Sequence, residues 1–145
     1  MVIPEVAASD KEGLIHELAQ HLCANEDSLK GGIDAVDKAL IARERLGSTG
    51  VGESVAIPHA KIPGLANLTA AFGRSKTGIP FDAIDSQPVR LVFVLLVPEN
   101  SAGAHLKALA RIARLLKSPS FRDRLLSLPD AGAIYDAFLE EDAKY

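Results

Sequence analysis

The chain has 145 residues, 48% of them hydrophobic and 24% charged, which fits one soluble domain spanning 1–145 with its own core and is far from the composition of a disordered chain. Its net charge of −3, without any basic block, argues against a sequence-independent nucleic-acid binder, which needs surplus Lys and Arg to displace counterions. A single cysteine, Cys23, rules out an internal disulfide or a thiolate cluster, and no apolar run reaches the roughly 20 residues of a membrane span, so the expected setting is the cytoplasm with no membrane insertion.

In chain order, Val2 to Ala7 reads as a first strand, with Pro4 suited to an edge. Ser9-Asp10-Lys11-Glu12 has the capping-box spacing, which predicts a helix with Ser9 as its cap. Leu14, Ile15, Leu18, Ala19 and Leu22 follow at helical spacing and leave His16 and His21 on solvated faces. Asn25 to Ser28 is a polar break. A second helix carries Val36, Leu40 and Ile41 and ends at Leu46 before Gly47, with Arg43 and Arg45 in the turn where positive charge complements the dipole. Of these, only an arginine that reaches the loop after Gly47 has a functional reading.

The segment from Gly47 to Leu65 follows, G-S-T-G-V-G-E-S-V-A-I-P-H-A-K-I-P-G-L, in which a glycine-rich loop precedes a short apolar run and a histidine fixed behind Pro58. Leu68 to Gly73 then alternates as a half-buried strand. Gly78 to Phe81 and Val89 to Val97 read as two strands flanking a turn at Asp82 to Pro88. The nearly unbroken apolar run Val89 to Val97 suits a central strand covered on both faces. Leu106, Leu109, Ala110, Ala113 and Leu116 form the apolar stripe of a helix over 102–117, and Pro119 and Pro129 open two shorter helices. Two helices, several strands and three helices imply an α/β fold, a three-layer α/β/α sandwich around a mixed sheet of about five strands.

The glycine loop lacks both the third glycine of a dinucleotide fingerprint and the Gly-Lys-Ser/Thr of a P-loop. Its amides, with the Ser48, Thr49 and Ser54 hydroxyls and Gly50 and Gly52, could still make an anion nest. His105 falls near the start of the 102–117 helix, where the dipole attracts anions and disfavours an imidazolium; the alternative is a surface histidine near a cap. For His59 no metal-ligand spacing or nucleophile elbow is present, so no metal is expected. A phosphoryl-accepting imidazole, a general base and a passive turn residue remain as readings.

Arg43-Glu44, Gly47-Ser48-Thr49-Gly50-Val51-Gly52 and Val55-Ala56-Ile57-Pro58-His59 closely resemble the fructose/mannitol class of enzyme IIA domains of the bacterial phosphoenolpyruvate-dependent phosphotransferase system, which includes the nitrogen-regulatory enzyme IIA proteins. The resemblance continues through Pro80-Phe81-Asp82-Ala83, Gln87-Pro88-Val89, Leu95-Leu96-Val97-Pro98 and His105-Leu106. It implies that His59 takes a phosphoryl group from HPr or an HPr-like carrier, that His105 is the second active-site histidine, and that Arg43 stands beside them. It implies a phosphotransferase without a cofactor that passes phosphate to an enzyme IIB or regulates targets such as kinases and transporters. Glu53 and Ala60 look more like the fructose branch; Ser48-Thr49 and Phe81 to Leu116 look more like the nitrogen-regulatory branch, towards which the reading leans. Ile57, Ile62, Pro63, Leu65 and Ala102 to Ala104 are expected to offer apolar contacts to a partner.

Overall fold

The computed structural model describes residues 1–26, 29, 32–81 and 85–144. The elements, in order, are β1 (Val2–Ile3), α1 (Lys11–Asn25), α2 (Ile33–Leu46), β2 (Gly50–Gly52), β3 (Val55–Ala56), β4 (His59–Ile62), β5 (Thr69–Ile79), β6 (Val89–Pro98), α3 (Ala102–Lys117), α4 (Pro119–Ser127) and α5 (Ala131–Asp142). Part of the expected polar break, at Asp27 and Ser28, and part of the expected turn, at 82–84, lie outside the described residues.

The sheet is mixed and six-stranded, ordered β1-β5-β6-β3-β2, with β4 also pairing β6 beyond β3. β6 is its axis, antiparallel to β5 and parallel to β3 and β4. Because strand side chains alternate between faces, the apolar run of β6 feeds two cores. Val92, Val94 and Leu96 pack with Leu14, Leu18, Leu22, Val36 and Leu40 of α1 and α2. Leu91, Leu95 and Val97 pack with Ile112 and Leu116 of α3, Phe121 and Leu125 of α4, and Ile134 of α5. Each such side chain contributes about 1.5–3 kcal/mol on burial, so a polar substitution on either face of β6 would open one of the layers.

Several local expectations change. β1 stops at Ile3, since Pro4 has no amide to continue the ladder; Val6 instead bonds the Arg74 carbonyl at 2.9 Å. Asp10, not Ser9, caps α1: its Oδ1 accepts from the Gly13 amide at 2.7 Å, an equally good cap one residue closer to the helix. β5 runs unbroken to Ile79 with a register shift after Arg74, so the stretch expected as a separate strand is its end. Ala71 to Ser75 are buried in succession rather than alternately, because helices cover both faces. In α3 the covered stripe is Ile112, Leu115 and Leu116, whereas Leu106 is 68% exposed and Ala110 and Ala113 face solvent.

Arg74 is 1% exposed on β5. Its guanidinium donates to the carbonyls of Pro4, Leu125 and Leu128, tying the N-terminal segment and the end of α4 to the sheet. The Leu125 and Leu128 carbonyls lie at the negative end of α4, which offsets the cost of a buried cation.

Candidate functional site

His59 opens β4, opposite Leu95 of β6, with the preceding Pro58 carbonyl accepting from the Leu95 amide at 2.9 Å. The ring is held from behind. Nδ1 lies 2.8 Å from the Ile57 carbonyl. A carbonyl can only accept, so Nδ1 carries the proton and Nε2 keeps its lone pair. Ile57 is in turn fixed by its amide, which donates to the Thr49 carbonyl at 3.0 Å.

β6 leads to α3 through a tight turn in which the Ser101 hydroxyl donates to the Pro98 carbonyl at 2.7 Å and makes no side-chain cap on α3. The first amides of α3 therefore keep their affinity for an anion. His105 lies in this first turn, its amide closing on the Ser101 carbonyl at 2.9 Å. Its ring centroid is 5.4 Å from that of His59. Its Nε2 is buried with no protein partner. Burial first, then the His59 ring and Lys61, push the His105 pKa below its ordinary 6.5, so the ring is neutral at pH 7. A buried, unsatisfied ring nitrogen beside a lone-pair-bearing imidazole and an open helix N-terminus is chemically an anion-accepting corner.

The other expected site residues divide. Arg43 Nη1 donates to the carbonyl of Gly47, the C-cap of α2, at 2.9 Å, a helix-end bond rather than one to the loop beyond Gly47, while Arg45 is exposed. Ser48 and Thr49 lie beside Ile57, but their hydroxyls are already used. Ser48 Oγ donates to the Phe81 carbonyl and accepts from the Gly50 amide, both at 3.0 Å. The Thr49 amide and hydroxyl both donate to Glu44 Oε1. The expected nest is therefore closed at Ser48, Thr49 and Gly50 by the protein's own acceptors.

Gly52 and Ser54 belong elsewhere. Gly52 pairs with Val55, and Glu53 and Ser54 between them have φ of 55° and 67°, the two-residue turn that matches strand twist. Gly52 itself sits at φ 92°, where a side chain would be strained. The Ser54 carbonyl accepts from Leu91, four residues from Leu95, which places this turn about 13 Å along the sheet from His59 at strand rise. The Glu53 amide bonds Asp85 Oδ2, and the Glu53 carboxylate pairs with Arg122 at 2.7 Å.

Of the expected partner contacts, Ile57, Ile62 and Leu65 are buried at 6%, 4% and 6% exposure and serve the core; Pro63, Gly103 and Ala104 remain exposed, and the Ala102 side chain falls outside the description. Exposed apolar surface comes instead from Leu46 at 86% and Leu106 beside His105. Lys61 was not singled out from the sequence, although alternation along β4 puts it on the His59 face. Among the described residues no cluster of three His, Cys, Asp or Glu gathers around a metal position, and no helix is long and apolar enough to cross a membrane.

The family model described as "Phosphoenolpyruvate-dependent sugar phosphotransferase system, EIIA 2" matches residues 1–141. A nitrogen regulatory protein of Bradyrhizobium diazoefficiens is 44% identical over 135 residues, covering 92% of this chain and 86% of that protein. The fructose-specific EIIABC component of Bacillus subtilis is 36% identical over 94% of this chain, which spans 21% of that larger protein. The crystal structure of nitrogen regulatory protein IIA-Ntr from Neisseria meningitidis superposes with a TM-score of 0.87 at 36% identity, over 94% of this chain and 91% of that one.

Proposed function

The chain belongs to the EIIA type 2 family of the phosphoenolpyruvate-dependent phosphotransferase system, and we propose that it carries a phosphoryl group on Nε2 of His59 in a nitrogen-regulatory role. The observation that carries this reading is the pair of imidazoles, one pinned with its Nε2 lone pair free and the other neutral with its own Nε2 unsatisfied. The donor is a phosphohistidine on HPr or an HPr-like carrier. The His59 Nε2 lone pair attacks phosphorus, the P–N bond to the carrier's imidazole breaks, and its electron pair returns to that ring.

The proton on His59 Nδ1 stays in place, and its bond to the Ile57 carbonyl strengthens as the ring acquires positive charge. The α3 amides and His105 Nε2 supply hydrogen bonds to the phosphoryl oxygens where charge is spread in the transition state. Arg43 adds positive charge from the loop side, exchanging the Gly47 carbonyl for the phosphoryl group. The 44% identity to a nitrogen regulatory protein over most of both chains supports the regulatory branch. A sugar-specific role, with phosphate passed to an enzyme IIB, is the second reading, supported by the fructose-specific relative.

The protein incubated with phosphoenolpyruvate, enzyme I and HPr should incorporate acid-labile phosphate, and His59→Ala should incorporate none. Normal labelling of that variant would overturn the site. Onward transfer to a fructose-type IIB at a rate matching uptake would move the assignment to the sugar-specific branch.

A further inference from the structure

Glu44 is placed against two electrostatic rules. It is a carboxylate in the last turn of α2, where the negative end of the dipole disfavours it, and it is 7% exposed. A buried carboxylate is costly unless paired and hydrogen-bonded, and helices pack more favourably on an apolar residue of similar size. The protein meets this cost with several contacts. Glu44 Oε2 faces Nζ of Lys11, the first residue of α1, at 3.0 Å. Oε1 accepts both the Thr49 amide at 2.7 Å and the Thr49 hydroxyl.

What a carboxylate gives here, and a leucine would not, is a fixed direction for Thr49. That direction is passed on: the Thr49 carbonyl holds the Ile57 amide at 3.0 Å, and the Ile57 carbonyl holds His59 Nδ1 at 2.8 Å. The flanks are tied as well. Lys11 lies 4.9 Å from the centre of the Phe81 ring, and the Phe81 carbonyl accepts from Ser48.

We infer that Glu44 is a positioning residue that sets the ring orientation and tautomer of His59 through Thr49 and Ile57. It touches neither the phosphoryl group nor the imidazole. A neutral imidazole in water favours the proton on Nε2, so the Nδ1–H form at His59 exists because the Ile57 carbonyl is held in place. Displacing that carbonyl returns the proton to Nε2 and blocks the nitrogen that attacks. The kinetic half of this inference rests on His59 being the phosphoryl acceptor; the tautomer half does not.

The test is long-range proton–nitrogen NMR of the labelled full chain at about pH 8, above the ordinary histidine pKa, with phosphoryl uptake from phosphorylated HPr measured in parallel. Wild type should show His59 as a single Nδ1–H tautomer. Glu44→Ala and the isosteric Glu44→Gln should each show a growing Nε2–H population, with kcat for uptake about 10-fold lower and KM changed less than about twofold. Leu125→Ala, a core truncation chosen to lower Tm comparably, should keep the wild-type tautomer and rate. If the Glu44 variants match Leu125→Ala in both readouts, Glu44 only holds the fold and the inference falls. Glu44→Gln carries the same two outcomes if Glu44→Ala does not fold. If wild type takes no phosphate on His59, the proposed function fails while the tautomer spectra still decide the role of Glu44.

Discussion

The segment from Gly47 to His59 has two ends built from the same small residues. At the near end, Ser48 to Gly50 lies against Ile57 and behind His59, with the Thr49 and Gly50 amides and both hydroxyls bonded to Glu44, Ser48 and Phe81. At the far end, Gly52 to Ser54 turns the chain about 13 Å away, held by Asp85 and Arg122. Neither end offers the open nest that its composition suggests. The near end acts by making the histidine's support rigid, and the far end by making the reversal possible without strain. The unspent donors lie elsewhere, at the uncapped start of α3 and at His105 Nε2. Small residues thus mark where backbone must bend or approach, and what binds there is decided by which donors the fold leaves unspent.

Variants can break this contrast at either end. The largest effect is expected for His105→Ala, which removes a donor on the α3 side: transfer should slow about 10²-fold with the fold intact, measured by rapid-quench phosphoryl uptake. A rate equal to wild type would return the binding role to the loop. Ser48→Ala leaves the Gly50 amide and Phe81 carbonyl unpaired and should cost about 1–2 kcal/mol in urea unfolding, with a smaller loss of transfer than His105→Ala. Ser54→Gly relieves a positive φ and should add about 1 kcal/mol of stability without altering transfer. Glu53→Gln removes the exposed carboxylate of an ion pair whose arginine keeps the Leu116 and Lys117 carbonyls, and should change stability by less than about 1 kcal/mol. A tenfold loss of transfer from either far-end variant would show that the two ends are not separate.

The smallest effect is a pH dependence. His105 has a folded pKa below its ordinary 6.5, so below 6.5 the unfolded chain binds more protons at this residue than the folded one. Its protonation therefore opposes folding increasingly as pH falls through that value and has no effect above it. Denaturant midpoints of wild type and His105→Gln should converge near about pH 7.5 and separate towards about pH 5.5, with the variant falling less. Parallel curves would show that His105 is not held neutral by its surroundings.

Most of the fold was legible because β6 is apolar on both alternating faces, and a strand of that kind requires helices above and below. The histidine pair was legible for a related reason: His59 follows a rigid proline and His105 starts a helix, and both segments border β6. The loop donors misled because composition reports which amides exist and not which acceptors claim them. Glu44 shows the same gap. An acidic residue beside Arg43 in a polar stretch reads as solvent-facing, and its one warning sign was a negative charge at the wrong end of a helix. Leu106 was misplaced because a helical stripe of leucine and alanine can be drawn on two adjacent faces, and only the packing of Ile112 and Leu115 chooses between them.

The hydrogen bond from His59 to the Ile57 carbonyl also determines the traffic at this site. With Nδ1 turned into the protein, the ring has one berth, and if His59 is the phosphoryl acceptor, as proposed, whatever delivers phosphate must leave before whatever collects it can arrive. Donor and acceptor should therefore compete for the same face and give parallel lines in double-reciprocal plots rather than a ternary complex. On that reading a regulator built this way would report the phosphorylation state of its supplier by occupancy, since a carrier that stayed docked would silence the output as surely as one that never came.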